Sequence, residues 1–185
     1  MATTNSHKLV EAKAVLDAYK IPLRQLRVEK VELQASSLDA VAKHALAQLG
    51  GYSKSRFVMV EDSGLFINAL DGFPGTFSSY IRRSLGLDGV LKLLQNRKDR
   101  TGFFKTTIAL GGPHIRPKLF TGTIRGRIAS SARGTEGFGF DPIFVPQGST
   151  QTFAEQSLTF KNSYSHRARA FRKLATWYGQ RFSQD

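Results

Sequence analysis

Apolar residues Leu9, Val10, Ala14, Val15 and Ala18 recur at the three-to-four spacing of a helix, and Pro22 ends the pattern. A helix over residues 6–19 is therefore predicted, opened by a Thr3-Thr4-Asn5 turn. Leu26, Val28, Lys30 and Glu32 alternate with Arg27, Glu29, Val31 and Leu33 in a short extended segment. Ser36 and Ser37 then open a second helix over residues 38–49, which Gly50 and Gly51 stop. The apolar run Phe57-Val58-Met59-Val60 has the character of a buried strand. It delivers Glu61-Asp62-Ser63-Gly64 at its C-terminal end, where α/β sheets place ligands. A rigid Phe73-Pro74-Gly75 loop precedes helical patterns over 78–85 and 87–94. Residues 103–110 and 118–128 form β-rich runs joined at Gly111-Gly112-Pro113, the pattern of an antiparallel hairpin. A glycine-rich stretch over 134–140 leads into a strand through Phe144. A last helix, about 165–182, repeats Phe171, Leu174, Ala175, Tyr178 and Phe182 on one side. With no internal repeat and no low-complexity linker, residues 1–185 read as one α/β domain.

At 185 residues and 41% hydrophobic content, the chain can bury most of its apolar surface in one domain. It has no cysteine, which excludes disulfides, thiolate catalysis and cysteine-based zinc sites. Any metal must be held by carboxylates or histidines. No stretch approaches the run of about 18 apolar residues that a membrane span needs. The start Met1-Ala2-Thr3-Thr4-Asn5 shows neither a basic leader nor an apolar segment, so a soluble cytoplasmic protein is expected. Lysines and arginines number 27 against 14 acids, a net charge of +13 that would attract a polyanion. The bases lie in small groups such as Arg82-Arg83, Arg125-Gly126-Arg127 and Arg167-Ala168-Arg169. This dispersal suits a solvated basic surface. It counts against the rival reading, a nucleic-acid-binding protein, for which no known motif is present.

Four groups of residues carry chemistry. Thr3, Thr4, Asn5, Ser6, His7 and Lys8 set hydroxyls, an amide and an ammonium at a helix start whose free N–H groups attract anions; a triphosphate end would fit, and so would an ordinary N-cap by Asn5 or Thr4. Glu61 and Asp62, with Glu32 earlier in the chain, offer hard oxygen ligands suited to Mg²⁺. Because adjacent strand residues point to opposite faces, one of Glu61 and Asp62 faces the cleft and the other packs or pairs elsewhere. In Gly137-Phe138-Gly139-Phe140-Asp141-Pro142, a phenyl ring can stack on a base and a carboxylate can accept from its edge, although both aromatics would also suit a core. Finally, Lys161-Asn162-Ser163-Tyr164-Ser165-His166-Arg167 bunches donors at a helix start.

Taken together and in order, these segments resemble the inosine triphosphate pyrophosphatase family, also called Ham1-like or non-canonical purine NTP pyrophosphatases. The resemblance runs nearly end to end. Thr3-Thr4-Asn5-Ser6-His7-Lys8 is similar to the family's Thr-x-Asn-x-x-Lys, and Glu32-Leu33-Gln34 to its Glu-Ile/Leu-Gln. Glu61-Asp62-Ser63-Gly64-Leu65 and Gly72-Phe73-Pro74-Gly75 match its central block. The stretch from Arg133 to Phe144, then Phe153-Ala154-Glu155, then Lys161 to Arg167 complete the set. Ser78-Ser79-Tyr80 looks more like archaeal members than bacterial ones. Ala45 stands where the family often has a lysine, and Lys43, two residues earlier, falls on a different helical face.

The resemblance implies an elongated mixed sheet with flanking helices, two lobes enclosing a nucleotide-binding cleft, and a homodimer. It implies that Thr3, Asn5 and Lys8 hold phosphates, that Glu32 and Asp62 hold Mg²⁺, and that Ser63 touches the substrate. Phe138, flanked by Gly139 and Phe140, would stack on the purine; Asp141, Lys161, His166 and Arg167 would read or position it. The implied reaction is hydrolysis of ITP, dITP or XTP to the monophosphate and pyrophosphate. Lys8 would neutralise phosphate charge and Asp62 would activate the water. A catalytically weak nucleotide binder on the same fold is the remaining alternative.

Overall fold

The computed structural model describes residues 1–28, 31 and 33–182. Helix α1 (Ser6–Asp17) starts where Asn5 accepts the backbone N–H of Lys8 at 3.2 Å, which satisfies one of the helix's unpaired donors. Helix α2 (Leu38–Ala47) is capped in the same way by Ser37, and a single turn, α3 (Gly50–Ser53), follows it. Strand β1 (Val58–Ile67) leads through a loop to α4 (Ser78–Ser84) and α5 (Gly86–Leu93). The long hairpin of β2 (Thr101–Gly112) and β3 (Ile115–Ile128) comes next, turning through Pro113 and His114. A short β4 (Phe144–Pro146) precedes α6 (Leu158–Tyr164) and the final α7 (His166–Phe182).

The fold is α/β as expected, and the four named strands pair antiparallel in the order β1-β2-β3-β4. Parallel pairing enters at the edge. Ala2 bridges Leu26 in parallel while its N–H donates to the Met59 carbonyl at 2.8 Å, which places the chain start between the extended segment and β1. Residues 29, 30 and 32 lie outside the described residues, and with them the Glu32 ligand expected above.

Period-two alternation along β1 sorts the core. Met59 faces a cluster built from Ala12, Val15 and Leu16 of α1, Ile108 and Leu110 of β2, and Phe171 and Leu174 of α7. Val58 and Val60 face Ala42 and Leu46 of α2. Further along, Leu65 and Ile67 join Phe104, Ile124, Phe144 and Phe153 in a third cluster, closed by Val90 and Leu94. Among the described residues no helix is long and apolar enough to cross a membrane.

Two expectations need correction. Residues 61–64 do not end a strand: β1 continues to Ile67, in unbroken register with β2 as far as Gly102. The apolar run stops at Val60 because the next side chains enter a buried polar network or the cleft, not because backbone pairing ends. The apolar face of α1 is also rotated by about one position. Ala12, Val15 and Leu16 are buried together with Glu11, whereas Val10 is half exposed.

The loop after β1 is seated by two close contacts. A Cβ on Gly64 would lie 2.2 Å from the Gly75 carbonyl oxygen, so only glycine allows the two backbones to meet. Ser78 Oγ accepts the Leu65 N–H at 2.8 Å and donates to the Gly75 carbonyl at 2.7 Å, which pins the start of α4 to β1.

Candidate active site

A cleft of about 770 Å³ runs between the start of α1, the middle of β1, α2, α4 and the 138–141 loop. Thr3, Asn5, Lys8, Asp62 and Ser63 line it, as do Phe138, Gly139, Phe140, Asp141, His166 and Arg167. Eleven of the thirteen expected site residues thus share one crevice. The other two are Glu32, which lies outside the described residues, and Lys161, which is buried behind the wall.

The chain start is shaped by its own polar side chains. Thr3 Oγ1 accepts the Asn5 N–H at 3.1 Å, and Asn5 Oδ1 caps the helix, so both build the turn as well as line the cleft. This leaves Lys8 as the cationic group that α1 presents there. Its Nζ lies 2.9 Å from Glu61 Oε2 and 3.9 Å from Asp62 Oδ1, and it donates to the Glu61 carbonyl at 3.3 Å.

Alternation assigns the two strand acids opposite roles. Glu61 points into the body of the protein on the Met59 face, with no side-chain exposure; Asp62 keeps 29% of its side chain exposed. Glu61 Oε1 accepts from Ser63 Oγ at 2.9 Å, from Arg167 Nε at 3.1 Å and from Thr106 Oγ1 at 3.3 Å. Among the described residues its Oε2 has no aligned hydrogen bond, and the Lys8 ammonium meets it as an ion pair. Burial alone would raise this carboxyl's pKa. The charges of Arg167 and Lys8 outweigh burial and hold it at about 2.

Behind Glu61 the network continues through Glu11, which the sequence reading missed. Glu11 accepts from Arg167 Nη1 through Oε2 at 2.5 Å and from Lys161 Nζ through Oε1 at 2.8 Å. Lys161 also donates to Asp141 Oδ2 at 2.6 Å, and the same oxygen accepts the Phe138 N–H at 2.8 Å. Lys161 therefore holds Asp141 and the 138–141 loop in place. Gly137 is required here, since a Cβ on it would sit 2.2 Å from Asp141 Oδ2 and its φ is +73°. Burial raises the Asp141 pKa, and nearby Glu11 adds to the rise against the pull of Lys161. Arg167 is held charged by Glu61 and Glu11 despite its burial, and its Nη2 donates to Ser63 Oγ at 2.8 Å.

The two aromatics of the glycine-rich loop divide their roles. Phe140 is core, 3% exposed. Phe138 stays in the cleft, stacked on His7 at 5.3 Å, with the Arg167 guanidinium 5.2 Å and the Lys161 ammonium 5.3 Å from its ring centre. His166 stacks on Phe104 at 4.6 Å. Burial, reinforced by Arg167 and Lys161, pushes its pKa well below 6.5, so the imidazole is neutral and carries one N–H donor. Its Nδ1 is buried with no hydrogen-bond partner among the described residues. An orphaned polar atom on the wall of a cleft is a place where a ligand atom would recover lost hydrogen bonding.

Arg82, Arg83 and Ala45 also line the cleft, while Lys43 is exposed on α2 and does not. The signal for Glu11 was available in the sequence as a lone acid on an otherwise apolar helical face. The arginines of α4 carried no comparable mark.

The chain matches the model of the Ham1 family over residues 1–177. A dITP/XTP pyrophosphatase of Hyperthermus butylicus is 44% identical to it over 183 residues, covering 97% of this chain and 94% of that protein. One from Methanopyrus kandleri is 45% identical over 177 residues, covering 96% and 94%. Among solved structures, the Ham1 protein of Staphylococcus aureus superposes with a TM-score of 0.82 at 27% identity, covering 96% of each chain. A HAM1 protein from Coxiella burnetii gives 0.80 at 31% identity, covering 97% of this chain and 96% of that one. With a family match across nearly its whole length and relatives at 44–45% identity, the chain belongs to the Ham1 family.

Proposed function

We propose that this protein is a Mg²⁺-dependent nucleoside-triphosphate pyrophosphatase that removes non-canonical purine nucleotides (ITP, dITP and XTP) from the nucleotide pool of the cytoplasm, acting as a homodimer. The observation that carries the reading is the shared crevice: the polar chain start, the β1 acids and the Phe138, His166 and Arg167 groups line one cleft of nucleotide size. The names of the relatives, dITP/XTP pyrophosphatases, support the same reaction class.

In this reading Thr3, Asn5 and Lys8 receive the phosphates at the start of α1, and Ser63 contacts the substrate beside Asp62. Asp62 takes the proton of a water that attacks the α-phosphorus. The bond from that phosphorus to the bridging oxygen breaks, and its electron pair leaves with pyrophosphate. Lys8 offsets the charge that builds on the phosphates. No covalent enzyme intermediate is formed.

The donor set fits a hard cation. Among the described residues no cluster of three or more histidines and acids is arranged for a metal, and Asp62 is a partly exposed carboxylate in the cleft. Mg²⁺ typically takes one or two carboxylates and completes its shell with water and substrate phosphates. Asp62 and Glu32 would hold it, and its chemistry would be to neutralise the triphosphate and its leaving group.

Phe138 stacks on the purine with Gly139 and Phe140 shaping the loop around it, Asp141 accepts from the base edge, and Lys161 fixes Asp141. The N–H groups of His166 and Arg167 suit a 6-oxo purine; the 6-amino group of ATP would meet them donor to donor, at a cost of about 1–3 kcal/mol per unpaired group. A panel of nucleoside triphosphates with and without Mg²⁺ tests the proposal. Pyrophosphate release is expected from ITP, dITP and XTP only with the metal, and little is expected from ATP. Equal rates on all nucleotides would refute the specificity.

A further inference from the structure

The cations in the cleft and behind its wall are already committed. Lys8 is paired with Glu61 and lies near Asp62; Arg167 spans Glu61 and Glu11; Lys161 spans Glu11 and Asp141. Four carboxylates thus face three cations, and the network is negative or at best neutral before any substrate enters. A triphosphate brings about four further negative charges, of which one Mg²⁺ would offset about two, so the site still calls for more positive charge.

Two residues on the cleft wall have that charge in reserve. Arg82 and Arg83 close α4, line the same cleft as Lys8 and Asp62, and have no carboxylate partner among the described residues. Arg82 Nε donates to the Gly139 carbonyl at 2.8 Å, so its guanidinium is held against the loop that carries Phe138 while both Nη groups keep their donors. Cations in the last turn of a helix also complement its dipole. That effect explains a positive charge at the end of α4, but not a guanidinium fixed to Gly139.

We propose that Arg82 and Arg83 form a second cationic wall that receives the substrate's phosphates across the cleft from Lys8, and that Arg82 also positions the base-stacking loop through Gly139. The inference rests on the reading of the cleft as a nucleoside-triphosphate site. Arg82 acts on both ends of the nucleotide, whereas Arg83, which has no hydrogen bond among the described residues, acts through its charge on the phosphates.

The test is to measure KM and kcat for ITP with Arg82→Gln, Arg83→Gln and Arg82→Lys, together with the inhibition constants of inosine, inosine monophosphate and inosine diphosphate. Each glutamine variant should raise KM for ITP about tenfold, the scale of one lost hydrogen bond to a charged group, with kcat within a few-fold of wild type. The loss in affinity should grow with the number of phosphates, and Arg83→Gln should leave inosine unaffected. Arg82→Lys keeps the charge but not the planar fork at Gly139, so it should weaken inosine itself. Thermal midpoints near wild type would show that the helix is intact. Unchanged constants, or equal losses for inosine and ITP in Arg83→Gln, would overturn the assignment while leaving the pyrophosphatase reading standing. A wild-type protein that neither binds nor hydrolyses any nucleoside triphosphate would overturn both.

Discussion

Glu61 is a buried carboxylate whose worth can be worked out from its environment. Its pKa is held at about 2 against an ordinary 4.5, because Arg167 and Lys8 outweigh the penalty of burial. Each unit corresponds to about 1.4 kcal/mol, so the ionised side chain contributes about 3 kcal/mol to folding at neutral pH. Since the folded value lies below the unfolded one, this contribution is complete above pH 4.5. It is lost as pH falls towards 2, with about half remaining at pH 3. Glu61→Gln keeps the shape but removes the charge and turns an amide NH₂ towards groups that are themselves donors. Urea denaturation followed by circular dichroism should place the variant about 3 kcal/mol below wild type at pH 7. The gap should shrink by about half at pH 3. A gap under about 1 kcal/mol at pH 7, or one that does not change between pH 7 and pH 3, would refute the account of Glu61 as the charged anchor of Lys8 and Arg167.

Glu11→Ala removes one of the two carboxylates that hold each of Lys161 and Arg167, leaves one excess buried positive charge shared between Asp141 and Glu61, and should cost about 3–5 kcal/mol. For a chain of this size that lowers the thermal midpoint by roughly 6–20 °C, readable by calorimetry. Asp62→Asn should reduce kcat by roughly a hundred- to ten-thousandfold, the range for a lost general base, while the partly exposed site leaves the melting curve near wild type; retention of most activity would remove Asp62 as the base. Phe138→Ala removes the stacking platform and should raise KM for ITP roughly 5- to 150-fold in steady-state assays, since base stacking is worth about 1–3 kcal/mol.

Periodic patterns made most of the elements legible. Both long strands of the hairpin, both helices that follow the Phe73-Pro74-Gly75 loop, and α7 lie where spacing and turn residues put them. The reading erred where polar residues occupy buried or paired positions. Counting Leu9 and Val10 as the inward face of α1 hides Glu11, because a charged residue on a buried stripe is the feature that apolar periodicity discards. Ending the strand at Val60 has the same origin: Glu61 and Ser63 face a polar interior, so hydrophobicity stops while pairing with β2 goes on. The sequence pattern puts Lys161 at a helix start, yet it lies inside the separate α6, which Ser157 caps and whose Leu158 and Phe160 are exposed. Seven residues with a weak apolar face give spacing little to detect. The cleft itself was legible only through the order of the segments, since each taken singly suits an ordinary cap, solvated acid or core aromatic.

The errors and the site coincide for a physical reason. Lys8, Glu61, Arg167, Glu11, Lys161 and Asp141 form one continuous chain of charged contacts, from the start of α1 to the N–H of Phe138. Burying so many charges is expensive, and an apolar interior of similar volume would serve stability as well or better. What such a chain does supply is fixed geometry, because each member has its hydrogen-bonding directions set by the next. On the proposed reading, Lys8 meets the phosphates and the loop of Phe138 and Asp141 meets the base, so the network sets the distance between the two ends of one bound nucleotide. That distance decides where the α-phosphorus sits relative to Asp62, and misplacement by about 1 Å is enough to cost roughly a hundredfold in rate. Glu11 touches neither end, yet two of the links in the chain run through it, and this is why its removal should disturb base recognition as well as stability.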